Sequence, residues 1–256
     1  MFTSYQLKLD WTQDLPKYWC DKSPFKTHFF NALSITFPDG EKFYVNSVRH
    51  YKDSITDEQL KDEVKEFIKQ ENWHSHIHQQ YNNWTESLGL PVNKLRQEVI
   101  DLISYTDNLS PKTRLAITVC QEHITVILAS AGLRNRTLYR TMHPHFENVW
   151  RWHNIEEIEH KSVSMDVWLD QYNTSMNSIM ILSTIVFWYK IFSLTVQLLH
   201  ADKQLWKWRT FKDSYNMLFA KTGLFRLGYK RWLEFFKKDF HPDNHNDTIL
   251  LNYRKG

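Results

Sequence analysis

A run of histidine and glutamate just past the middle of the chain carries the clearest chemical pattern. His153, Glu157 and His160 are spaced i, i+4 and i+7, so on an α-helix they lie within an arc of about 60°. Imidazole nitrogens and a carboxylate that point in one direction form half of a metal site. An exposed polar helix face is the alternative, but Ile155 and Ile158 within the run indicate burial.

A second segment repeats the pattern earlier in the chain. Glu71, His74 and His78 share an arc of about 60° on a helix. Glu71 and His74 form Glu-x-x-His, and Glu157 with His160 forms it again. Ferritin-like dimetal carboxylate proteins use two such helices facing inward, with one further Glu from each remaining helix. Two metal ions are therefore predicted, with His78 a ligand or, as we favour, a residue that orients a ligand.

The two further carboxylates are predicted from the remaining helices. Glu122 lies in VCQEHITVIL (119–128), the most apolar helix of the predicted core. A carboxylate buried there needs a metal or a cationic partner, such as His123 or an arginine. Glu41 follows Pro38-Asp39-Gly40 and is the best candidate from the first helix, although a Glu in a first turn also stabilises the helix dipole without a metal.

Long helices must position these residues. Gly and Pro number only 6 and 7, which disfavours an all-β sandwich or a Gly-rich nucleotide-binding fold. A capping box of Thr56 with Gln59 and an N-cap at Ser110-Pro111 mark two helix starts. The predicted helices cover about 41–51, 57–84, 92–105, 111–131 and 146–172, with two or three more between 174 and 239.

The order of these helices predicts an all-α fold. Four of them are joined by a short, a long and a short connection, which is the ferritin-like four-helix topology. We predict one domain over 1–256, with the metal-binding bundle at about 38–172 and additional C-terminal helices at about 174–240.

Five motifs resemble the bacterial family of predicted metal-dependent hydrolases, over about 37–251. They are FPDGE (37–41), QENWH (70–74), EH (122–123), WHNIEEIEHK (152–161) and FHP (240–242). The element His-x-x-x-Glu-x-x-His also resembles ferritin-like diiron N-oxygenases of aryl amines, in which a third histidine joins four carboxylates and two histidines. The metal ligands that these resemblances imply are Glu41, Glu71, His74, Glu122, His153, Glu157 and His160.

The predicted ligands suit iron, with manganese or zinc also possible. Two irons can reduce O2, whereas a metal pair can also activate water for hydrolysis. By analogy with the fold, we predict a diiron oxidase or oxygenase that uses O2 and an electron donor on a small organic substrate. A metal-dependent hydrolase is the alternative, and non-enzymatic iron storage is the second alternative. The C-terminal extension is interpreted as a lid over a substrate pocket or a homodimer surface.

Other sequence features limit the partners and the location. A net charge of only +3 argues against a nucleic-acid binder, and residues 1–14 lack the apolar stretch of a signal peptide, so we predict a cytoplasmic protein. Residues 179–199 are long enough to span a membrane, but the central Lys190 favours a buried bundle helix. The basic, aromatic residues that follow leave peripheral membrane contact open.

Several polar residues near the motifs have open assignments. Glu156 and Glu159 either support the ligands or face solvent, and we favour solvent. His76 is predicted to point away from the Glu71 face. His241 and His245 form either a separate metal cluster or a polar C-terminal turn, and the sequence does not choose between them.

Overall fold

A computed structural model describes residues 5–172 and 174–252, and its regular elements in that part of the chain are helices. The all-α prediction is confirmed. The helices are α1 (Pro24–Arg49), α2 (Glu58–Ser87), α3 (Val92–Ser104), α4 (Pro111–Arg134), α5 (Arg136–Arg140), α6 (Pro144–Glu159), α7 (Val163–Gln171), α8 (Asn177–Ala201), α9 (Trp208–Phe219), α10 (Leu224–Glu234) and α11 (Thr248–Leu251).

The first helix begins much earlier than predicted. Ser23 caps α1, and the helix runs through Pro38 without interruption, so the prediction that the first helix begins at about residue 41 is wrong. A proline inside a helix leaves the carbonyl four residues earlier without its donor. That carbonyl belongs to Ser34, and the Asn82 side-chain amide of α2 donates to it at 2.9 Å. The tertiary contact therefore supplies the bond that Pro38 removes.

Two other boundaries also differ from the predictions. Asp57, and not Thr56, caps α2 by accepting from the Leu60 amide at 3.0 Å. The predicted helix over 146–172 divides into α6 and α7, because the chain turns at residues 160–162. At this break Lys161 donates to the carbonyl of His245 at 2.7 Å, a contact with a distant segment that local sequence does not reveal. The N-cap at Ser110 is confirmed.

The helices that carry the histidine and glutamate motifs pack around one another. α1 packs against α2, α4 packs against α6, and α7 packs against both α2 and α4. This arrangement is compatible with the predicted four-helix bundle. The C-terminal helices cover it: α8 lies on α1 and α4, and α10 lies on α4.

Within residues 5–172 and 174–252, two helices, α4 and α8, are long and apolar enough to cross a membrane by length and composition, but α4 is mostly buried inside the protein. α8 buries one side against α1 and α4 and leaves Ile185 and Tyr189 exposed. Its central Lys190 is largely buried and lies 3.5 Å from Glu98 of α3. The lysine is therefore paired inside the protein.

Candidate metal centre

The structure brings the seven predicted ligand residues into one buried cluster. Their side chains come from α1, α2, α4 and α6, and from the residue that follows α6. Within this cluster, three overlapping groups have ligand atoms that all lie within 4.8 Å of one another. The groups are Glu41 with His74 and His153, Glu71 with His74 and Glu157, and Glu71 with Glu122 and His160.

His160 is close to three carboxylates at once. Its Nε2 lies 3.1 Å from Glu71 Oε1, 3.5 Å from Glu122 Oε2 and 3.7 Å from Glu157 Oε1. The residue caps the C-terminus of α6 and is no longer inside the helix. The break between α6 and α7 therefore falls where the imidazole meets α2 and α4.

Glu157 also connects this group to the other two histidines. Its Oε1 lies 3.6 Å from His74 Nδ1 and 3.4 Å from His153 Nε2. His74 Nδ1 is in turn 3.8 Å from Glu71 Oε1. Glu71 and Glu157 therefore each lie close to both His74 and His160.

Many polar atoms of the cluster face one another without hydrogen bonds. Buried polar groups in proteins are normally hydrogen-bonded, so each exception needs a reason. Within the described part of the chain, the buried atoms with no such partner include Glu41 Oε1, both oxygens of Glu71, both ring nitrogens of His74, Glu122 Oε2 and His160 Nε2. These donor types are the ones that divalent metals bind, so the residues fit a metal site.

The crowding of carboxylates in the cluster disfavours their ionised forms unless a cation lies between them. Burial, followed by repulsion from neighbouring carboxylates, raises the pKa of Glu41 and Glu71 well above the usual range, and burial raises that of Glu122 to about 7. Burial lowers the pKa of His74 and His153 to about 3, so both imidazoles are neutral. Neutral imidazole is the form that binds metal.

His160 is the exception among the cluster histidines. Burial alone would lower its pKa, but contacts with Glu122, Glu157 and Glu71 raise it well above the ordinary value. The same proximity lowers the pKa of Glu157, together with the charges of His153 and His74. In the absence of a metal, His160 is therefore the one cluster histidine whose imidazolium the carboxylates favour.

A hydrogen-bonded chain fixes the tautomer of His153. The Ser34 hydroxyl donates to Asn82 Oδ1 at 2.8 Å, so it accepts from His78 Nδ1 at 2.9 Å. Burial lowers the pKa of His78, so its imidazole is neutral. Its Nε2 therefore accepts a hydrogen bond from His153 Nδ1 at 3.1 Å. The second nitrogen of His153 is left unprotonated and faces Glu157, and Asn82 is oriented by its bond to the carbonyl freed by Pro38.

Replacing Ser34 with alanine is expected to weaken metal binding by up to about 10-fold, because Ser34 holds His78, which in turn orients the candidate ligand His153. Ser47→Ala is the matched control, since Ser47 is buried on the same helix but donates only to the carbonyl of Phe43. Competition with a chromophoric chelator measures the affinity. Equal affinities of the two variants would contradict the role of this chain of hydrogen bonds.

Other candidate ligands are also held by neighbours. His160 Nδ1 donates to Gln70 Oε1 at 2.9 Å, Thr125 donates to Glu157 Oε2 at 2.7 Å, and Ser75 donates to Glu41 Oε2 at 2.9 Å. Ligands fixed in this way need less reordering when a metal binds.

Glu156 is buried, and the prediction that it faces solvent is wrong. Its Oε1 accepts from Trp152 Nε1 at 3.0 Å and from the backbone amide of Tyr5 at 2.9 Å. Its Oε2 lies 3.3 Å from His74 Nε2. The N-terminal segment covers this side of α6, which the sequence did not reveal, although a tryptophan one turn before Glu156 was a usable signal. His76 is exposed, as predicted.

Tyr44 of α1 is a buried phenol that was not among the residues predicted from the sequence. Burial raises the pKa of its phenol well above the ordinary value, and the charges of Glu122, Glu71 and the other two cluster carboxylates raise it further. The phenol is therefore protonated at neutral pH. Tyr44 is one turn after Glu41 on α1, a spacing that could have identified it.

The C-terminal histidines are paired with carboxylates. His241 Nε2 lies 2.9 Å from Asp166, and His245 Nε2 lies 2.9 Å from Glu234. Among the described residues, no group that could hold a metal includes either histidine. The polar-turn alternative fits these contacts.

Residues 3–246 match the model of a protein family described as predicted metal-dependent hydrolase. Searches of curated proteins and of solved structures found no match.

Proposed function

Because the chain belongs to the family of predicted metal-dependent hydrolases, we propose that its buried cluster binds two divalent metal ions and hydrolyses a small organic substrate. The observation that supports this proposal most strongly is the set of buried carboxylate and imidazole atoms that face one another without hydrogen bonds. Leaving so many buried polar atoms without hydrogen bonds costs free energy of folding. Metal coordination would remove that cost.

The two ions would be held by two sets of ligands that Glu157 connects. Glu41, His74 and His153 form one set, and Glu71, Glu122 and His160 form the other, with Glu157 close to histidines of both. Mixed oxygen and nitrogen donors suit zinc, manganese or iron.

A metal ion bound there would lower the pKa of water and polarise a carbonyl oxygen, the chemistry that hydrolysis requires. The chain itself orients the imidazoles and limits access of bulk water. Phe37 stacks on His153 at 4.6 Å between ring centroids, the Trp152 ring meets His74 at 4.9 Å, and Phe67 meets His160 at 5.1 Å. These apolar rings surround the polar cluster and strengthen its electrostatic interactions.

Metal titration of the purified protein tests the proposal. We expect two equivalents to bind, and hydrolysis of p-nitrophenyl esters to appear with the metal and to disappear with a chelator. His74→Ala is expected to lose metal binding, whereas His76→Ala on the exposed face of the same helix retains it. A protein that binds no metal, or that hydrolyses equally with and without it, would overturn the proposal.

An O2-dependent oxidase is the second candidate. It is favoured by the excess of carboxylates over histidines in the cluster, the composition that diiron proteins of helical bundles use. Anaerobic loading with Fe(II) followed by exposure to O2 distinguishes the two. Substrate-coupled O2 consumption would favour the oxidase, ester hydrolysis with zinc and no O2 consumption would favour the hydrolase, and mineral growth would favour iron storage.

A further inference from the structure

A large apolar cavity lies beside the metal cluster. It has a volume of about 480 Å³ and lies between α1, α3, α4 and α8, within the size range of small-molecule sites. Its walls are mainly aliphatic and aromatic, and include Phe43, Leu102, Ile117 and Val186. Leu182, on its rim, is 61% exposed, so the opening to solvent is also apolar.

The inner end of the cavity reaches the residues around the cluster. Phe37 lines the cavity and stacks on His153. Gly40 and Gln121 also line it, and each immediately precedes a predicted ligand, Glu41 or Glu122. Phe37 therefore separates the cavity from His153, and a molecule in the cavity would lie against the segments of α1 and α4 that carry Glu41 and Glu122.

Tyr44 supplies a polar group at this inner end. It lines the cavity, and its hydroxyl lies 3.7 Å from the position that a Cβ on Gly40 would occupy. Within the described part of the chain no group hydrogen-bonds this hydroxyl. By contrast, two other polar side chains of the lining have protein partners: Thr36 donates to a backbone carbonyl at 2.7 Å, and Lys190 lies 3.5 Å from Glu98.

We propose that this cavity binds the apolar chain of an acyl substrate, with the substrate carbonyl hydrogen-bonded to the Tyr44 hydroxyl beside the metal cluster. This inference rests on the proposed hydrolase function, whose substrate class it specifies. Water attacks the acyl carbon, the bond to the leaving oxygen or nitrogen breaks, and the leaving group takes up a proton as the acid is released. An apolar enclosure with few polar groups selects for chain length, and one oriented donor selects for a carbonyl.

Binding can be tested on metal-free protein with neutral ketones, which are not hydrolysed. We expect the affinity to rise up to about fourfold for each methylene from 2-hexanone to 2-decanone, the equivalent of about 0.8 kcal/mol. Tyr44→Phe is expected to weaken 2-decanone binding about two- to tenfold, while naphthalene, which has no hydrogen-bond acceptor, keeps its affinity. Displacement of the fluorescent dye Nile red measures the affinities for the ketones and for naphthalene, in the wild type and in Tyr44→Phe. Affinity that is independent of chain length would overturn the proposal.

A matched pair of variants locates the binding site. Ile103→Trp on α3 places a large ring in the cavity lining and is expected to reduce 2-decanone binding at least tenfold. Ile100→Trp on the same helix lies outside the lining and is expected to have no effect. Val186→Trp obstructs the cavity from α8 and serves if Ile103→Trp does not fold. Ketone binding unchanged in the folded cavity variants would overturn the assignment.

The two proposals fail in different ways. Chain-length-dependent ketone binding without metal-dependent hydrolysis would retain the cavity and reject the hydrolase. Metal-dependent hydrolysis of p-nitrophenyl acetate, with no gain in kcat/KM for longer esters and no ketone binding, would retain the hydrolase and reject the cavity as its substrate site.

Discussion

Glu122→Gln is expected to raise the thermal stability of the metal-free protein and to abolish its further stabilisation by metal. The carboxylate is buried, and its nearest cationic group, His160, lies 3.5 Å away and also serves Glu71 and Glu157. Burial raises the pKa of this carboxyl from 4.5 to about 7, which corresponds to a destabilisation on the order of 3 kcal/mol in the ionised form that the neutral amide avoids. For a protein of this size, each kcal/mol raises Tm by about 2–4 °C.

The difference in stability between the wild type and Glu122→Gln depends on pH. Burial raises the folded-state pKa of Glu122 to about 7 from 4.5, so the folded state binds the proton more tightly than the unfolded state. The wild-type protein therefore loses stability relative to Glu122→Gln as pH rises from about 4.5 to 7. Melting curves at pH 5 and pH 8, with and without metal, measure this difference.

An exposed carboxylate provides the control for this prediction. Glu58→Gln removes an exposed carboxylate that pairs at the surface with Lys61, and it is expected to change Tm by no more than about 2 °C. A Glu122→Gln protein that is destabilised without metal, or is still stabilised by metal as strongly as wild type, would show that Glu122 is not a ligand in a crowded acidic site.

Asp247→Ala is expected to destabilise the protein by about 3–5 kcal/mol, because it removes the carboxylate that pairs with the buried cations of Arg231 and Lys161. The Asp247 side chain is 2% exposed and pairs with Arg231 and with Lys161, the latter at 3.1 Å. Burial alone would raise the pKa of Asp247, but Arg231 and Lys161 outweigh it and lower the pKa. Its contribution to stability is therefore present at neutral pH and is lost as pH falls through the folded-state pKa.

Urea unfolding at pH 7 measures this loss. Asp243→Ala is the matched control, since Asp243 also faces Lys161, at 3.7 Å, but its side chain is 59% exposed. We expect the control to lose no more than about 1 kcal/mol. Because Lys161 directly follows His160, Asp247→Ala is also expected to weaken metal binding. Equal stability of the two variants would mean that the C-terminal turn does not anchor the break after α6.

The sequence alone predicted the all-α fold and the residues of the cluster. Helical periodicity places His153, Glu157 and His160 on one face whatever the rest of the chain does, because the backbone repeat fixes their directions. Burial of Glu122 was also predicted, since its neighbours in VCQEHITVIL (119–128) are apolar. The same helical periodicity predicted that His78 lies beside the candidate ligands Glu71 and His74.

The tertiary structure decided the features that depend on contacts between distant segments. Pro38 lies inside α1 because Asn82 bonds the carbonyl it frees, and the chain turns after His160 where Lys161 meets the C-terminal turn. Glu156 is buried because the N-terminal segment covers α6. Local pattern specifies which face of a helix is apolar, but the partner that covers each face, and the cavity left beside Tyr44, depend on how the helices pack.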